Sequence, residues 1–208
     1  MALKKIKYII GIDEVGRGPL AGNVTVAAVA MAKKLKLKTR NLKLRDSKKL
    51  TSRQREIWFS CIKKELCLPY AVASVSPRAI DKINISEAAN LAASRAFNKL
   101  ILKLKKPASL EGSRIFLDGG LFLQSSKLKI WDLKPKTIIK GDEKIPAISL
   151  ASIVAKVSRD RQMKNLSKKY PQYGLEKHKG YGTKEHFKAI KKHGPSKIHR
   201  LTFLKKMR

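Results

Sequence analysis

The sequence predicts a mixed α/β layered domain, and two patterns carry that prediction. Short β-branched apolar runs interleave along the chain with longer segments whose apolar residues recur every three or four positions. The length, 208 residues with 43% hydrophobic side chains, suits one domain with a sizeable core and excludes a disordered polycation.

Taken in order, Tyr8-Ile-Ile-Gly-Ile-Asp13 is a short apolar run closing on an acid, the pattern of a buried strand. Val24 to Ala30 is rich in β-branched residues and reads as its hairpin partner. Lys33 to Lys49 is a basic connection, after which Thr51 or Ser52 caps a helix through about Leu66, with Ile57, Trp58, Cys61 and Ile62 on one face. Ala71 to Ser76 is a further strand. From Ile85 to about Lys105, Ala88, Leu91, Ala92, Ala96 and Leu100 fall at helical spacing. Ile115 to Asp118 is a strand ending at Gly119-Gly120, and Thr137 to Ile139 another. A long helix follows from about Pro146 to Lys169, with proline in its first turn. Beyond Pro171 the chain is basic and holds a last helix from Thr183 to Lys192. From Lys164 to the end there are 14 basic and 2 acidic residues, so residues 171–208 are expected to form a basic helical extension packed on the domain of residues 1–170.

The net charge is +33, from 48 Lys and Arg against 15 Asp and Glu. A lysine-rich codon bias exchanges Arg for Lys but does not create a threefold excess over acids. The excess is even: residues 1–110 carry 24 basic and 7 acidic side chains, residues 111–208 carry 24 and 8. Such a surface favours polyanions, and nucleic acid is the abundant one. Charge alone leaves a non-catalytic binding protein, such as a ribosomal protein, open. It also opposes self-association, so a monomer is expected. No apolar run approaches the roughly 20 residues that cross a bilayer, and no signal peptide is evident. Cys61 and Cys67 read as reduced thiols, and a cytoplasmic location with no membrane partner is expected.

Scarce acids make their positions informative. Asp13 and Glu14 close the first strand, Asp118 closes another before Gly119, and Asp142 and Glu143 follow Lys140-Gly141 after a third. Neighbouring strand residues face opposite ways, so Asp13 and Glu14 are expected to converge only at a strand end or bulge. Clustered carboxylates raise one another's pKa unless cations lie between them. An all-oxygen set without Cys or His suits Mg²⁺ or Mn²⁺. Two such ions about 4 Å apart activate a water and stabilise a leaving oxygen in phosphodiester hydrolysis. Gly16-Arg17-Gly18 lacks dinucleotide-loop spacing and has two acids upstream, so close backbone approach to a polynucleotide, with Arg17 at a phosphate or groove edge, fits better. The four histidines, His178, His186, His193 and His199, are irregularly spaced without cysteine, which favours tail packing or phosphate contact over zinc. Arg159 and Asp160 read as structural ion pairs, and Ser152 and Lys156 lie one helical turn apart where both could face substrate.

Gly11-Ile-Asp-Glu-Val-Gly-Arg-Gly-Pro-Leu-Ala-Gly22 resembles the signature of bacterial-type ribonuclease HII. The resemblance continues in order through Asp46-Ser-Lys-Lys-Leu50, Ile83-Asn-Ile85, Leu117-Asp-Gly119, Lys140-Gly-Asp142, Ser149 to Arg161, His178 to His186 and His199-Arg200. It implies a ribonuclease H-like fold, a five-stranded mixed sheet flanked by helices with a C-terminal helical extension. It further implies a divalent-metal-dependent endonuclease that cuts the RNA strand of RNA–DNA hybrids and incises 5′ of single ribonucleotides in duplex DNA. Position by position, Asp13, Glu14, Asp118 and Asp142 match the metal-binding, catalytic carboxylates, which hold one or two Mg²⁺ or Mn²⁺ ions. Gly16, Arg17 and Gly18 match the segment that senses the ribose 2′-hydroxyl at the RNA–DNA junction. Tyr181 matches the tyrosine that stacks on the deoxyribose beyond it. Asn23 departs from the proline usual there, and Gly120 and Leu121 replace more polar residues. Arg17, where type HIII carries threonine, and a first strand starting by about Lys7 argue against that sister family.

Overall fold

The protein is described by a computed structural model over residues 8–32, 49–104, 110, 112–124 and 132–205. The basic connection 33–48, including Asp46 to Lys48 of the family-like motif, lies outside the described residues.

Five strands, β1 (Tyr8–Val15), β2 (Val24–Ala32), β3 (Tyr70–Val75), β4 (Arg114–Asp118) and β5 (Lys136–Ile138), form one sheet in the order β3-β2-β1-β4-β5. β1 pairs antiparallel with β2 and parallel with β4, and β4 pairs parallel with β5. The sheet is therefore mixed, as expected. The parallel trio β1, β4 and β5 brings three carboxyl ends to one edge, where ligands collect in sheets of this kind.

Helices cover both faces. α1 (Ser52–Ser60) opens on a capping box between Thr51 and Gln54 and runs on through a π-helical turn, Cys61–Glu65. Trp58, Cys61 and Ile62 are buried as the spacing predicted, but Ile57 is 45% exposed. Beyond α2 (Pro77–Ile83), α3 (Ile85–Lys103) lies on one sheet face through Ala88, Ala89, Ala92, Ala93 and Ala96, small residues that admit close packing on Ile10, Ile12, Val26 and Ala28. A short helix α4 (Gly141–Lys144) leads into the long α5 (Pro146–Lys169) on the other face, where Leu150, Ile153, Val154 and Val157 pack with Trp58, Ile62 and Val29. Gly11 sets how close α5 comes, because a Cβ there would lie 2.1 Å from the Ala147 carbonyl carbon. Only a residue without a side chain admits that contact.

The last segment holds α6 (Leu175–His178), α7 (Lys184–His193) and α8 (Leu201–Lys205). It has a small core of its own, Tyr173, Leu175 and Ile198 against Met163 of α5 and Ala21 of the β1–β2 connection. Among the described residues, no helix is long and apolar enough to cross a membrane.

Candidate active site

Strand periodicity decides how the first two acids are used. Asp13 and Glu14 sit inside the regular β1–β2 ladder, opposite Ala27 and Val26, rather than at a strand end or bulge. Their side chains therefore leave opposite faces of β1. Gly11 abuts the first turn of α5, and two residues on Asp13 points the same way and accepts a hydrogen bond from Ser152 of that helix. Glu14 turns to the α3 side, where Arg17 Nη1 lies 3.4 Å from Glu14 Oε1 and Arg17 Nη2 donates to Ser86 Oγ at 3.2 Å.

Asp13, Asp118 and Asp142 each bring a carboxylate oxygen to within 4.8 Å of the other two. Asp118 ends β4, and its Oδ1 accepts the Gly141 N–H at 2.6 Å, which ties β4 to the turn carrying Asp142. Asp142 itself belongs to α4 and is 4% exposed. Glu14 lies outside this tight trio but lines the same cleft, within electrostatic reach of both Asp13 and Asp118. The alternation of strand side chains sets it on the other face of β1.

Burial first, then the Glu14 and Asp118 carboxylates, push the Asp13 carboxyl well above the usual carboxylate range, against the hydrogen bond from Ser152. Burial also raises Glu14, with Arg17 opposing and Asp118 reinforcing. Glu14 Oε2 is buried without a hydrogen-bond partner. A hard cation would supply the missing countercharge, and all-carboxylate donors of this kind fit a divalent one.

The cleft, about 390 Å³, is lined by the carboxylates Asp13, Glu14 and Asp118 together with Gly16, Arg17, Gly18 and Tyr181, and by Ser152 and Lys156. All the substrate-contacting residues expected from the sequence thus share one cavity. Gly18 stands beside Tyr181: a Cβ there would sit 3.8 Å from the Tyr181 ring, an ordinary van der Waals contact. Gly16 has φ +88°, a left-handed turn open to glycine, and it starts a loop held from beneath by two buried guanidiniums. Arg200, fully buried, donates to the carbonyls of Gly16 (2.6 Å), Arg17 (2.7 Å) and Gly22 (2.8 Å). Arg159 donates to those of Asn23 (3.3 Å), Ala21 (3.3 Å) and Lys179 (3.1 Å). Burial, with Arg159 beside it, lowers Arg200 to about 9, still a cation at neutral pH.

Neither arginine stood out in the sequence as part of the site. Arg159 was expected in an ion pair; it clamps carbonyls instead, while Asp160 does pair, with Arg55 at 3.5 Å. The available signal was position within the family-like motifs, not residue chemistry. Of the histidines, His186 and His199 are buried, which assigns them to tail packing rather than phosphate contact.

A profile of the ribonuclease HII family matches residues 10–206. The chain is 45% identical to a ribonuclease HII of Caldicellulosiruptor bescii over 96% of its length and 87% of the relative's. It is 47% identical to one from Endomicrobium trichonymphae, over 94% and 84%. The fold resembles the crystal structure of ribonuclease H2 from Pyrococcus horikoshii, with a TM-score of 0.73, 27% identity and 96% of each chain covered. Clustered carboxylates, a basic surface and these likenesses converge: the chain belongs to the ribonuclease HII family, hydrolytic endonucleases that act on RNA–DNA hybrids.

Proposed function

We propose that this protein incises 5′ of single ribonucleotides embedded in duplex DNA, besides hydrolysing the RNA strand of RNA–DNA hybrids, and leaves 3′-hydroxyl and 5′-phosphate ends. The observation that carries the proposal is the shared cleft, which Asp13, Glu14 and Asp118 line together with the Gly16–Gly18 loop and Tyr181, while the Asp142 carboxylate meets those of Asp13 and Asp118. One or two Mg²⁺ or Mn²⁺ ions held by Asp13, Asp118, Asp142 and the unpartnered Glu14 Oε2 would supply water activation and charge stabilisation at the phosphodiester.

The chain's own residues do the rest. Ser152 orients the Asp13 carboxylate, and the Gly141 N–H orients Asp118. Gly16, Arg17 and Gly18 meet the ribose 2′-hydroxyl, the group that separates RNA from DNA. Their loop needs to be stiff for that discrimination, and Arg200 and Arg159 fix it through its carbonyls. Tyr181, 45% exposed beside Gly18, offers its ring to the sugar beyond the junction. The remaining cations supply salt-dependent affinity for the duplex. The same proposal takes the protein as a cytoplasmic monomer in which residues 171–208 extend a catalytic domain of residues 1–170.

The test is a DNA duplex holding one ribonucleotide, incubated with the protein in Mg²⁺, Mn²⁺ or EDTA. A metal-dependent nick on the 5′ side of the ribonucleotide is expected. Asp118→Asn is expected to bind that duplex without cutting it, and Arg17→Ala to lose cleavage at single ribonucleotides more than on an all-RNA hybrid. Absence of the nick while the hybrid is cut would remove the embedded-ribonucleotide activity; full cutting by Asp118→Asn would remove Asp118 from the site.

A further inference from the structure

The buried histidines form a directed chain that ends on Tyr181. Ser196 N–H lies 3.0 Å from His199 Nδ1, His199 Nε2 lies 3.2 Å from His186 Nε2, and His186 Nδ1 lies 2.9 Å from the Tyr181 carbonyl oxygen. A backbone N–H only donates, and the Ser196 hydroxyl, 3.3 Å from the same nitrogen, is free to turn its proton there too, so His199 Nδ1 is bare and the proton of that ring is on Nε2. A carbonyl only accepts, so His186 Nδ1 carries the proton of its ring. The middle contact is then satisfied in one sense only, His199 Nε2–H donating to His186 Nε2. Both rings are neutral, and both are buried, His186 at 0% and His199 at 2% exposure. A second proton on either ring would set two N–H groups, or two donors, against each other.

The surroundings make the chain rigid. The His178 ring stacks on His186 with centroids 4.3 Å apart, accepts the Gly180 N–H at Nδ1 and donates from Nε2 to the Tyr173 carbonyl at 2.8 Å. The Tyr173 ring meets His199 edge-on at 4.7 Å. His199 adjoins Arg200, whose N–H donates to the Leu20 carbonyl at 2.8 Å while its side chain clamps Gly16, Arg17 and Gly22. Leu20 N–H in turn donates to the Gly180 carbonyl at 2.8 Å. Residues 196–200 therefore hold both walls of the cleft at once, the glycine loop through Arg200 and the Tyr181 backbone through His199 and His186.

We propose that His186 and His199 are positioning residues that set the register of Tyr181 against the Gly16–Gly18 loop, and thereby substrate affinity, through this single proton arrangement. The proposal rests on the substrate role given to Tyr181 above. His186 touches neither the carboxylates nor the cleft, so its effect travels through the Tyr181 backbone. Losing one directed hydrogen bond of this kind corresponds to about a five- to tenfold change in an affinity.

Two measurements test it. Long-range ¹H–¹⁵N spectra of the full chain at pH 7 should show His186 protonated at Nδ1 and bare at Nε2, and His199 the reverse. A charged ring, or the opposite tautomer in either, overturns the proposal. In kinetics on the single-ribonucleotide duplex, His186→Phe should raise KM about five- to tenfold with kcat little changed. His186→Asn, whose amide N–H falls near the place of Nδ1, should recover most of the loss. In a Tyr181→Ala background, His186→Phe should add nothing. A fall in kcat at constant KM, or losses that multiply in the double variant, refutes action through Tyr181. Should Tyr181→Ala alone leave KM unchanged, the substrate role of Tyr181 is what fails. The histidine proposal is then decided by the tautomers together with hydrogen exchange, where His186→Phe is expected to speed the amides of residues 180–183 and spare those of β1; unchanged exchange there overturns it.

Discussion

Gly11→Ala puts the sheet-to-helix distance to a direct test. The new Cβ would lie 2.1 Å from Ala147 C, 2.2 Å from Ala147 O and 2.3 Å from Ile148 N. All three are backbone atoms, so no side-chain rotation relieves the clash. Carbon atoms rest about 3.5–4.0 Å apart, so the first turn of α5 has to retreat from β1 by more than about 1 Å. Inserting one methyl into a packed core costs about 1–3 kcal/mol, and backbone that cannot give places this position at the upper end, about 3 kcal/mol. For a domain of this size that lowers Tm by about 6–12 °C. The same retreat draws Ser152 away from Asp13, so affinity for the divalent ion should weaken as well. Thermal unfolding followed by circular dichroism, with and without Mg²⁺, measures both effects. A Tm within about 2 °C of the parent would mean that β1 and α5 are not in backbone contact at Gly11, and the account of how α5 is seated would fail.

Other perturbations have equally definite signs. Arg200→Met strips the buried carbonyls of Gly16, Arg17 and Gly22 of their donor and should cost about 2–4 kcal/mol in urea unfolding. Arg200→Lys should recover only part, because one ammonium cannot span three carbonyls; a fully stable Arg200→Met would contradict the clamp. Asp13→Asn removes one of three crowded carboxylates, so the metal-free variant should be at least as stable as the parent, and Mg²⁺ should raise the parent's Tm but not the variant's. An equal Mg²⁺-induced shift in both would take Asp13 out of the metal site. Burial lowers His186 to about 4, while the unfolded chain titrates near about 6.5. Between those values the unfolded state binds a proton that the folded state refuses. The contribution is therefore complete above about pH 6.5 and declines as pH falls toward 4, by no more than about 1.4 kcal/mol per unit. The difference in urea midpoint between the parent and His186→Phe, taken at pH 7.5, 6 and 5, isolates it. A difference independent of pH would show that His186 is not held neutral.

Much of the fold was legible because local chemistry and final structure agree. Thr51 caps α1, Pro146 opens the long helix, and the alanines at helical spacing in α3 do face the sheet. Ile57 shows where periodicity stops: it shares a helical stripe with Trp58 and Ile62, yet the core that includes α5 covers only part of that stripe. The acids were legible for a related reason. Against a charge of +33, carboxylates placed after strands and beside glycines were few enough to single out.

Sequence alone singled out the candidate residues: Asp13, Glu14, Asp118 and Asp142, the Gly16–Gly18 loop and Tyr181 all stand in recognisable motifs. Tertiary structure alone decided how they are divided. Whether two adjacent acids converge depends on strand register, and a regular ladder sends Asp13 to the α5 side and Glu14 to Arg17. The parallel pairing of β1, β4 and β5 brings Asp13, Asp118 and Asp142 together across 129 positions of chain, a matter of topology that no local pattern encodes. The roles of Arg159, Arg200, His186 and His199 were invisible for the same reason. Sequence can mark an arginine for an ion pair or a histidine for packing, but the particular carbonyls each one holds come from distant segments and are set only once folding has buried it.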